Sequence, residues 1–121
     1  MIDPALIRIT GFRVSEDRGR LLENIVFLHL RMQTKEIYFH KEKKECDFVL
    51  REGNQIVQAI QVTTNLSDLE VKNREIEGLM EAMNTYHLRE GIILTENEQD
   101  KIEMNGFLIS VIPIWKWLLF Q

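Results

Sequence analysis

Three oxygen-bearing side chains interrupt the apolar pattern of this sequence at positions where a polar group is costly. Glu23 lies one helical turn before Val26 and Phe27, so a carboxylate occupies an otherwise apolar helix face. A buried carboxylate is unfavourable unless it is paired, protonated or bound to a cation. Asp47 lies inside a predicted strand, although aspartate is a poor strand former, and Gln61 lies on the next strand. These three residues are therefore the first candidates for chemistry.

The predicted hairpin between these two strands brings two of the three side chains together. If its turn is centred on Asn54, Asp47 lies directly across from Gln61. Gln61 shares one strand face with Thr63, because side chains alternate along a strand. With Glu23 on the helix above, the carboxylate and amide oxygens form a donor set of the kind that Mg²⁺ prefers. We therefore predict a hard-cation site at Glu23, Asp47 and Gln61.

The same residues are also consistent with purely structural roles. Glu23 could form a buried ion pair, for example with Arg74, and ion pairs of this kind are common in proteins. Asp47 could cap a turn or face solvent at a sheet edge. Gln61 and Thr63 could form an ordinary polar strand face. Each of these structural roles is an alternative to the predicted cation site.

The other polar residues carry weaker signals. Cys46 is expected to be a small buried strand residue and not a nucleophile, because no histidine partner is suggested by the pattern. The histidines show no metal-ligand spacing and are assigned no chemistry: His29, His40 and His87. The run Lys41–Lys44 is typical of a solvated turn. As a phosphate-contact patch it is a weak hypothesis, because a glutamate interrupts it.

Hydrophobic periodicity predicts the order helix, three strands, helix, strand, hairpin and closing helix. The predicted elements are a helix over Arg20–Met32, strands over Ile37–Phe39, Cys46–Leu50 and Ile56–Thr63, a capping box at Ser67 and Glu70, a helix with the apolar stripe Ile76, Leu79, Met80 and Met83, a strand over Ile92–Leu94, a hairpin of Ile102–Met104 and Phe107–Ile112 around Asn105 and Gly106, and a helical turn over Trp115–Phe120. A helix between the third and fourth strands predicts a parallel pair with a right-handed crossover. The fold class is therefore α/β, with a mixed sheet and flanking helices.

Length and composition set the broad class. The 121 residues are 45% hydrophobic and 28% charged, which predicts one domain, with residues 1–14 as a loosely attached lead-in and 15–121 as the core. The net charge of −4 excludes a general polyanion-coating protein, so nucleic-acid contact would need a local basic patch. One cysteine, no signal peptide and no long apolar run predict a cytoplasmic protein without a membrane partner.

Five sequence blocks in the same order resemble one protein family. They are Arg20-Leu-Leu-Glu-Asn-Ile-Val-Phe, Glu45-Cys-Asp-Phe-Val, Ile60-Gln-Val, Arg74-Glu-Ile-Glu-Gly-Leu and Val111-Ile-Pro-Ile-Trp-Lys-Trp-Leu-Leu. These blocks resemble the C-terminal domain of unknown function found behind AAA+-type ATPase modules in archaea and bacteria. Members of that family are assigned to the PD-(D/E)XK nuclease-like, or restriction-endonuclease-like, superfamily. The resemblance implies a core of helix, three-strand meander, helix and strand, to which this chain adds a C-terminal hairpin and helix.

The resemblance also implies roles for individual residues. Glu23 matches the acid of the first core helix, Asp47 matches the motif's aspartate, and Gln61 matches the second strand acid. In active relatives these acids hold one or two Mg²⁺ ions, which activate a water and stabilise the phosphate. The motif's lysine falls on Thr63, so a lysine would have to reach the site from elsewhere. Lys72, near the start of the second core helix, is the first candidate for that role.

Three functions are consistent with this resemblance. The first, which we favour, is a degenerate nuclease-like module that binds nucleic acid or a protein partner beside an ATPase without cleavage, because an amide and a threonine weaken the charge stabilisation that cleavage needs. The second is a Mg²⁺-dependent DNA endonuclease with a relocated lysine, either Lys72 or one of Lys43 and Lys44. The third is a structural or oligomerisation domain with a relic site. The sequence contains no P-loop motif, so the ATPase would be a partner or a missing N-terminal region.

Overall fold

The computed structural model describes residues 5–10, 18–33 and 36–120. In chain order its elements are β1 (Leu6–Arg8), α1 (Arg18–Arg31), β2 (Glu36–Lys41), β3 (Glu45–Glu52), β4 (Gln55–Val62), α2 (Leu69–Thr85), β5 (Glu90–Thr95), β6 (Asp100–Met104), β7 (Phe107–Pro113) and α3 (Ile114–Leu119). The predicted order of helices and strands is confirmed from α1 onwards, with boundaries that differ by one or two residues.

The seven strands form one mixed sheet in the order β1-β2-β3-β4-β5-β7-β6. β4 and β5 are parallel, as the intervening helix α2 requires, and β5 is also parallel to β7. The remaining neighbours are antiparallel. The predicted mixed α/β sheet with flanking helices is therefore confirmed.

The helices cover opposite faces of this sheet and divide the core into two clusters. α2 contributes Ile76, Leu79, Ala82 and Met83 to one cluster, which packs against strand residues such as Val49. The second cluster contains residues of α1 and α3 against the other face, among them Val26, Phe27, Leu30, Ile60 and Trp117. Among the described helices, none is long and apolar enough to cross a membrane.

The chain before α1 differs from the sequence prediction. Residues 1–14 were expected to be a loosely attached lead-in, but Leu6–Arg8 forms a strand that pairs with β2, with Leu6 opposite His40 and Arg8 opposite Tyr38. A three-residue edge strand is held mainly by backbone hydrogen bonds, so its side-chain pattern carries little signal. Residues 1–4 and 11–17 lie outside the described part of the chain.

The N-terminal cap of α2 also differs from the prediction. The capping box at Ser67 and Glu70 is wrong, because the cap is Asp68, whose Oδ1 accepts hydrogen bonds from the backbone N–H groups of Glu70 and Val71 at 2.9 Å and 3.4 Å. The Ser67 hydroxyl instead donates to Asn65 Oδ1 at 2.6 Å. Aspartate and serine cap helices about equally well, so spacing alone did not distinguish these neighbours.

The hairpin of β3 and β4 keeps the register that the sequence predicted. Phe48 pairs with Ile60 and Leu50 with Gln58, and an irregularity after Leu50 adjusts the ladder to the tight turn at Gly53, where φ is +64°. Continuing the same register by one residue away from the turn places Asp47, the residue before Phe48, across from Gln61. The hairpin therefore sets the geometry of the candidate site.

Gly78 allows α2 to approach the sheet closely enough to complete this site. It is buried, and a Cβ atom built on it would overlap the carbonyl oxygen of Glu45 and lie 2.6 Å from Nε2 of Gln61. The absence of a side chain at this position therefore brings the backbone of α2 into contact with the start of β3.

Replacing Gly78 with alanine is expected to lower the free energy of unfolding by about 2 kcal/mol or more, because overpacking of a close backbone contact typically costs about 1–3 kcal/mol. At an exposed helical position the same change normally stabilises. Asn73→Ala, on an exposed position of α2, is the matched control and should change stability by less than about 0.5 kcal/mol. Urea unfolding followed by circular dichroism measures both. A Gly78→Ala protein as stable as the wild type would contradict the close contact.

Candidate functional site

Asp47 is the residue around which the candidate site is built. It lies at the end of the β3–β4 pair where α1 and α2 approach from opposite faces, and it lines one cavity with Glu23 and another with Gln61 and Glu75. Its Oδ2 accepts a hydrogen bond from the backbone N–H of Val62 at 2.8 Å. This bond fixes the orientation of a carboxylate that lines both cavities.

Gln61 fixes the position of this end of the hairpin. Its side chain is 1% exposed, and its Oε1 accepts a hydrogen bond from the backbone N–H of Asp47 at 2.8 Å. Its Nε2 donates to the carbonyl oxygens of Glu45 at 2.9 Å and Glu75 at 3.1 Å. One amide therefore joins β3, β4 and α2. Its assignment as a cation ligand stays a prediction, because its oxygen is already bonded to the backbone.

Glu23 lies on the first turns of α1 and faces the same region as Asp47. The two residues line a cavity of about 280 Å³ together with Arg20 and Glu45. Glu23 forms an ion pair with Arg20, with 3.4 Å between Oε2 and Nη1. The structure thus brings together the two acids that the sequence singled out, with an arginine beside them.

Glu75 is a third carboxylate of this site, and it was missed from the sequence. It lines a cavity of about 310 Å³ with Asp47, Gln61 and Arg74. Burial raises the pKa of Glu75 to about 7; the positive charge of Arg74 opposes this shift and the negative charge of Glu23 adds to it. A sequence signal for Glu75 did exist: like Glu23, it is a carboxylate on an otherwise apolar helix face, because it lies on the same stripe of α2 as buried Leu79.

Basic side chains line the same cavities as the acids. Lys43, Lys44 and Arg74 border the cavity of Glu75. Lys44 Nζ lies 2.9 Å from Glu77 Oε2, so an ion pair with α2 holds this lysine at the edge of the cavity. Lys72 lies one turn before Glu75 on α2 and is not among the residues that line the three cavities around Asp47. A role for Lys72 stays a prediction.

Cys46 and Thr63 have structural environments. Cys46 is fully buried, and burial raises the pKa of its thiol well above the ordinary value, with the charges of Asp47 and Glu75 adding to the shift. The interpretation of Cys46 as an inert strand residue agrees with this environment. Thr63 is also buried, and its hydroxyl donates to the carbonyl oxygen of Asn65 at 3.3 Å.

The electrostatics of this arrangement favour a divalent cation. Glu23 and Asp47 line one cavity, and Asp47 and Glu75 line another, where two helices meet the hairpin. Burial is the main cause of the raised pKa of Glu75; the charge of Arg74 opposes the shift, and the charge of Glu23 adds a smaller contribution. A hard cation with oxygen ligands would offset the cost of keeping a buried carboxylate ionised. These three residues, in addition to the predicted Gln61, are the ones that could hold Mg²⁺.

Replacing Glu75 with glutamine is expected to change the pH dependence of stability. Because the folded-state pKa is raised from 4.5 to about 7, the native protein binds this proton more tightly, and stability is lost as the pH rises from about 4.5 to 7. Glu75→Gln removes the loss. At pH 8 it should raise the free energy of unfolding by up to about 3 kcal/mol, reduced by solvent screening, relative to its effect near pH 5.

Urea unfolding at several pH values without divalent cations measures this difference. Glu103→Gln, which removes an exposed carboxylate on β6, is the control and should behave like the wild type throughout. A Glu75→Gln profile parallel to the wild-type profile between pH 5 and pH 8 would show that Glu75 titrates normally.

Comparison with known proteins gives the family. Residues 18–117 match a model described as a domain of unknown function, DUF4143. An uncharacterised protein of Methanocaldococcus jannaschii is 34% identical over 116 residues, which cover 87% of this chain and 26% of the relative. The chain thus spans about a quarter of that relative's length. No solved structure matches significantly. Since the matching family model extends from the start of α1 into α3, the protein belongs to the DUF4143 family.

Proposed function

We propose that this domain is a PD-(D/E)XK nuclease-like module that binds a divalent cation of the Mg²⁺ type and, through it, the phosphate backbone of a nucleic acid. The observation that carries the proposal is the convergence of Glu23, Asp47 and Glu75 on adjoining cavities. A cation bound there would neutralise the carboxylates and present a positive charge to a phosphate.

The basic residues at the same cavities support a phosphate-bearing partner. The chain as a whole carries a net charge of −4, which opposes general attraction to nucleic acid. Arg20 borders the cavity of Glu23, while Lys43, Lys44 and Arg74 border the cavity of Glu75. Local positive charge at a cation site is what phosphate contacts need, because such contacts depend on charge close to the backbone.

The proposed module binds its nucleic acid without cleaving it. Cleavage requires a group that helps to activate water and a site that stabilises the developing charge. Thr63, the residue that the resemblance aligns with the motif's lysine, uses its hydroxyl in a bond to the Asn65 carbonyl. Gln61, aligned with the second acid, has its oxygen bonded to the backbone of Asp47. Both positions therefore perform structural work.

A Mg²⁺-dependent endonuclease is the second candidate function, and Glu75 is the observation that favours it. This carboxylate restores a third negative charge beside Glu23 and Asp47. Lys43 and Lys44 border the same cavity, so one of them would supply the ammonium that Thr63 lacks. In this candidate the three acids hold the cation and a lysine of the β2–β3 turn orients the water.

The proposed physiological setting is beside an ATPase. The support is the resemblance of the five sequence blocks to domains that follow ATPase modules, together with the length of the relative, of which the alignment covers 26%. The ATPase would be a separate chain or a further region of the same protein.

Cation binding is tested by the melting temperature in increasing Mg²⁺ or Mn²⁺. The wild type should be stabilised progressively, by about 2.7 kcal/mol when the cation is present at one hundred times its Kd, because the cation binds the native state. Asp47→Asn should abolish the increase, while Glu103→Gln, remote on β6, should leave it unchanged. If neither cation shifts the wild-type transition, or if Asp47→Asn shifts equally, the cation site is wrong.

Nucleic-acid binding is tested by measuring affinity for a DNA duplex against salt concentration in the presence of Mg²⁺. Lys43→Ala combined with Lys44→Ala should weaken binding and reduce the slope of log K against log salt by up to about 1.8, because each phosphate contact contributes about 0.9. Lys101→Ala, an exposed lysine on β6, is the control. Absence of wild-type binding would favour a purely structural domain.

A plasmid assay with the same proteins distinguishes the two candidates. The non-cleaving module leaves supercoiled plasmid intact in Mg²⁺ and Mn²⁺. Nicking by the wild type that is lost in both Glu23→Gln and Asp47→Asn would establish the endonuclease instead.

A further inference from the structure

A second group of ligand side chains lies on the α2 side of the β2–β3 turn, around a buried histidine. His40, on β2, is completely buried. Its Nδ1 lies 2.7 Å from the hydroxyl of Tyr86, and its Nε2 lies 2.7 Å from Oε2 of Glu81. The carboxylate of Glu42, in the turn, completes a set of three ligand atoms that all lie within 4.8 Å of one another. None of these residues lines the cavities around Asp47.

We propose that His40, Glu42 and Glu81 form a binding site for a first-row transition-metal ion, with Zn²⁺ as the best match. One imidazole nitrogen and two carboxylate oxygens are ligands that Zn²⁺ accepts at about 2.0–2.2 Å, with water completing the coordination. Ligand atoms that bind one Zn²⁺ ion lie close together, and the three ligand atoms here already lie within 4.8 Å of one another. The imidazole distinguishes this site from an oxygen-only site for Mg²⁺.

The surroundings of His40 prepare it to act as a ligand. Metal-bound histidines usually engage their second ring nitrogen in a hydrogen bond that fixes the ring orientation. Tyr86 occupies that position, and its ring packs edge-on against the imidazole with 5.4 Å between the centroids. Nε2 is thereby directed toward Glu81. With a metal on Nε2, the hydrogen on Nδ1 is donated to the Tyr86 hydroxyl.

Glu81 is prepared in the same way. Although burial opposes it, hydrogen bonds from His40 and from the backbone N–H of Lys44 lower the pKa of Glu81 below its ordinary value. The Lys44 bond measures 3.0 Å. Glu81 is therefore already attached to the turn that contains Glu42.

Metal binding at this site replaces the direct contact between His40 and Glu81. In the metal-free protein, Nε2 of His40 lies 2.7 Å from Oε2 of Glu81. The ion would come between these two atoms and bind the neutral imidazole at Nε2, with the ring hydrogen on Nδ1, and no oxidation or reduction occurs.

A metal at this site would also hold the β2–β3 turn, which carries basic residues of the cavity that Glu75 lines. Glu42 directly precedes Lys43 and Lys44, and both lysines border the cavity of Glu75. A metal that joins Glu42 to Glu81 would attach this turn to α2 by coordination as well as by the Lys44 hydrogen bond. The proposed ion is therefore structural, and its ligands are distinct from the cation ligands Glu23, Asp47 and Glu75.

The test is titration of the chelator-treated chain with Zn²⁺ by calorimetry, and with Co²⁺ by visible absorption. We expect one Zn²⁺ per chain and, for Co²⁺, the absorption of a low-symmetry nitrogen and oxygen site. Glu42→Gln is the decisive variant, because Glu42 is exposed and its replacement leaves the core intact. It should weaken Zn²⁺ binding at least tenfold, since losing even a hydrogen-bonded partner of a ligand costs about 10- to 100-fold.

Two further variants complete the design. Glu52→Gln removes an exposed carboxylate at the end of β3 and should leave Zn²⁺ affinity unchanged. Asp47→Asn should also leave it unchanged while abolishing any Mg²⁺ response, so the two sites can fail separately. Zn²⁺ affinity that is equal in the wild type and Glu42→Gln, or that is lost in Asp47→Asn, would overturn the proposal. So would the absence of Zn²⁺ binding.

Discussion

The hydrogen bonds of the Gln61 amide are the interaction on which the rest of the site depends. A buried amide that loses a partner costs more than the bond contributes, so the groups that it contacts are held in place. Gln61 accepts from the backbone of Asp47 and donates to the carbonyls of Glu45 and Glu75. These contacts require α2 to lie close to the start of β3, and Gly78 makes that approach sterically possible. The positions of Asp47 and Glu75 follow from a single residue that carries no charge.

Without a cation, the ionised carboxylates of the candidate site lower the stability of the native state. Burial and the charge of Glu23 raise the pKa of Glu75, so ionising Glu75 destabilises the native state near neutral pH. The Arg20–Glu23 ion pair is partly exposed and compensates only weakly. Acidic groups that oppose folding are commonly found at functional sites, where a ligand or cation makes use of them. The cost of ionising Glu75 therefore favours the proposed functional site over an ordinary polar edge of the sheet.

Much of the fold was predictable from the sequence, and the parts that were not share a physical cause. Alternating and helical periodicity predicted the strands and helices, and a turn centred on Asn54 predicted the register of β3 and β4. Strand β1 and the exact cap of α2 depend on backbone pairing and on a choice between adjacent residues that cap equally well. The bonding of Gln61 depends on how closely α2 approaches, which periodicity does not report. Glu75 was predictable, because it is a carboxylate on the buried stripe of α2, just as Glu23 is a carboxylate on an apolar face of α1.

The cluster around His40 was not predictable from the sequence for a different reason. Its partner Glu81 lies 41 residues away and Tyr86 lies 46 residues away, so no short sequence motif connects His40 with these partners. The cluster forms because α2 crosses the sheet face above the β2–β3 turn. The same helix supplies Glu75 to the cavity that Asp47 lines, Glu77 to the ion pair of Lys44, and Glu81 to the hydrogen bond with the β2–β3 turn. Glu77 and Glu81 are four residues apart and lie on one side of the helix, whereas Glu75, two residues before Glu77, lies on another side. Glu75 and the residues that contact the β2–β3 turn thus belong to one helix, so under the proposed function a shift of α2 relative to the sheet would change cation binding and phosphate contacts together.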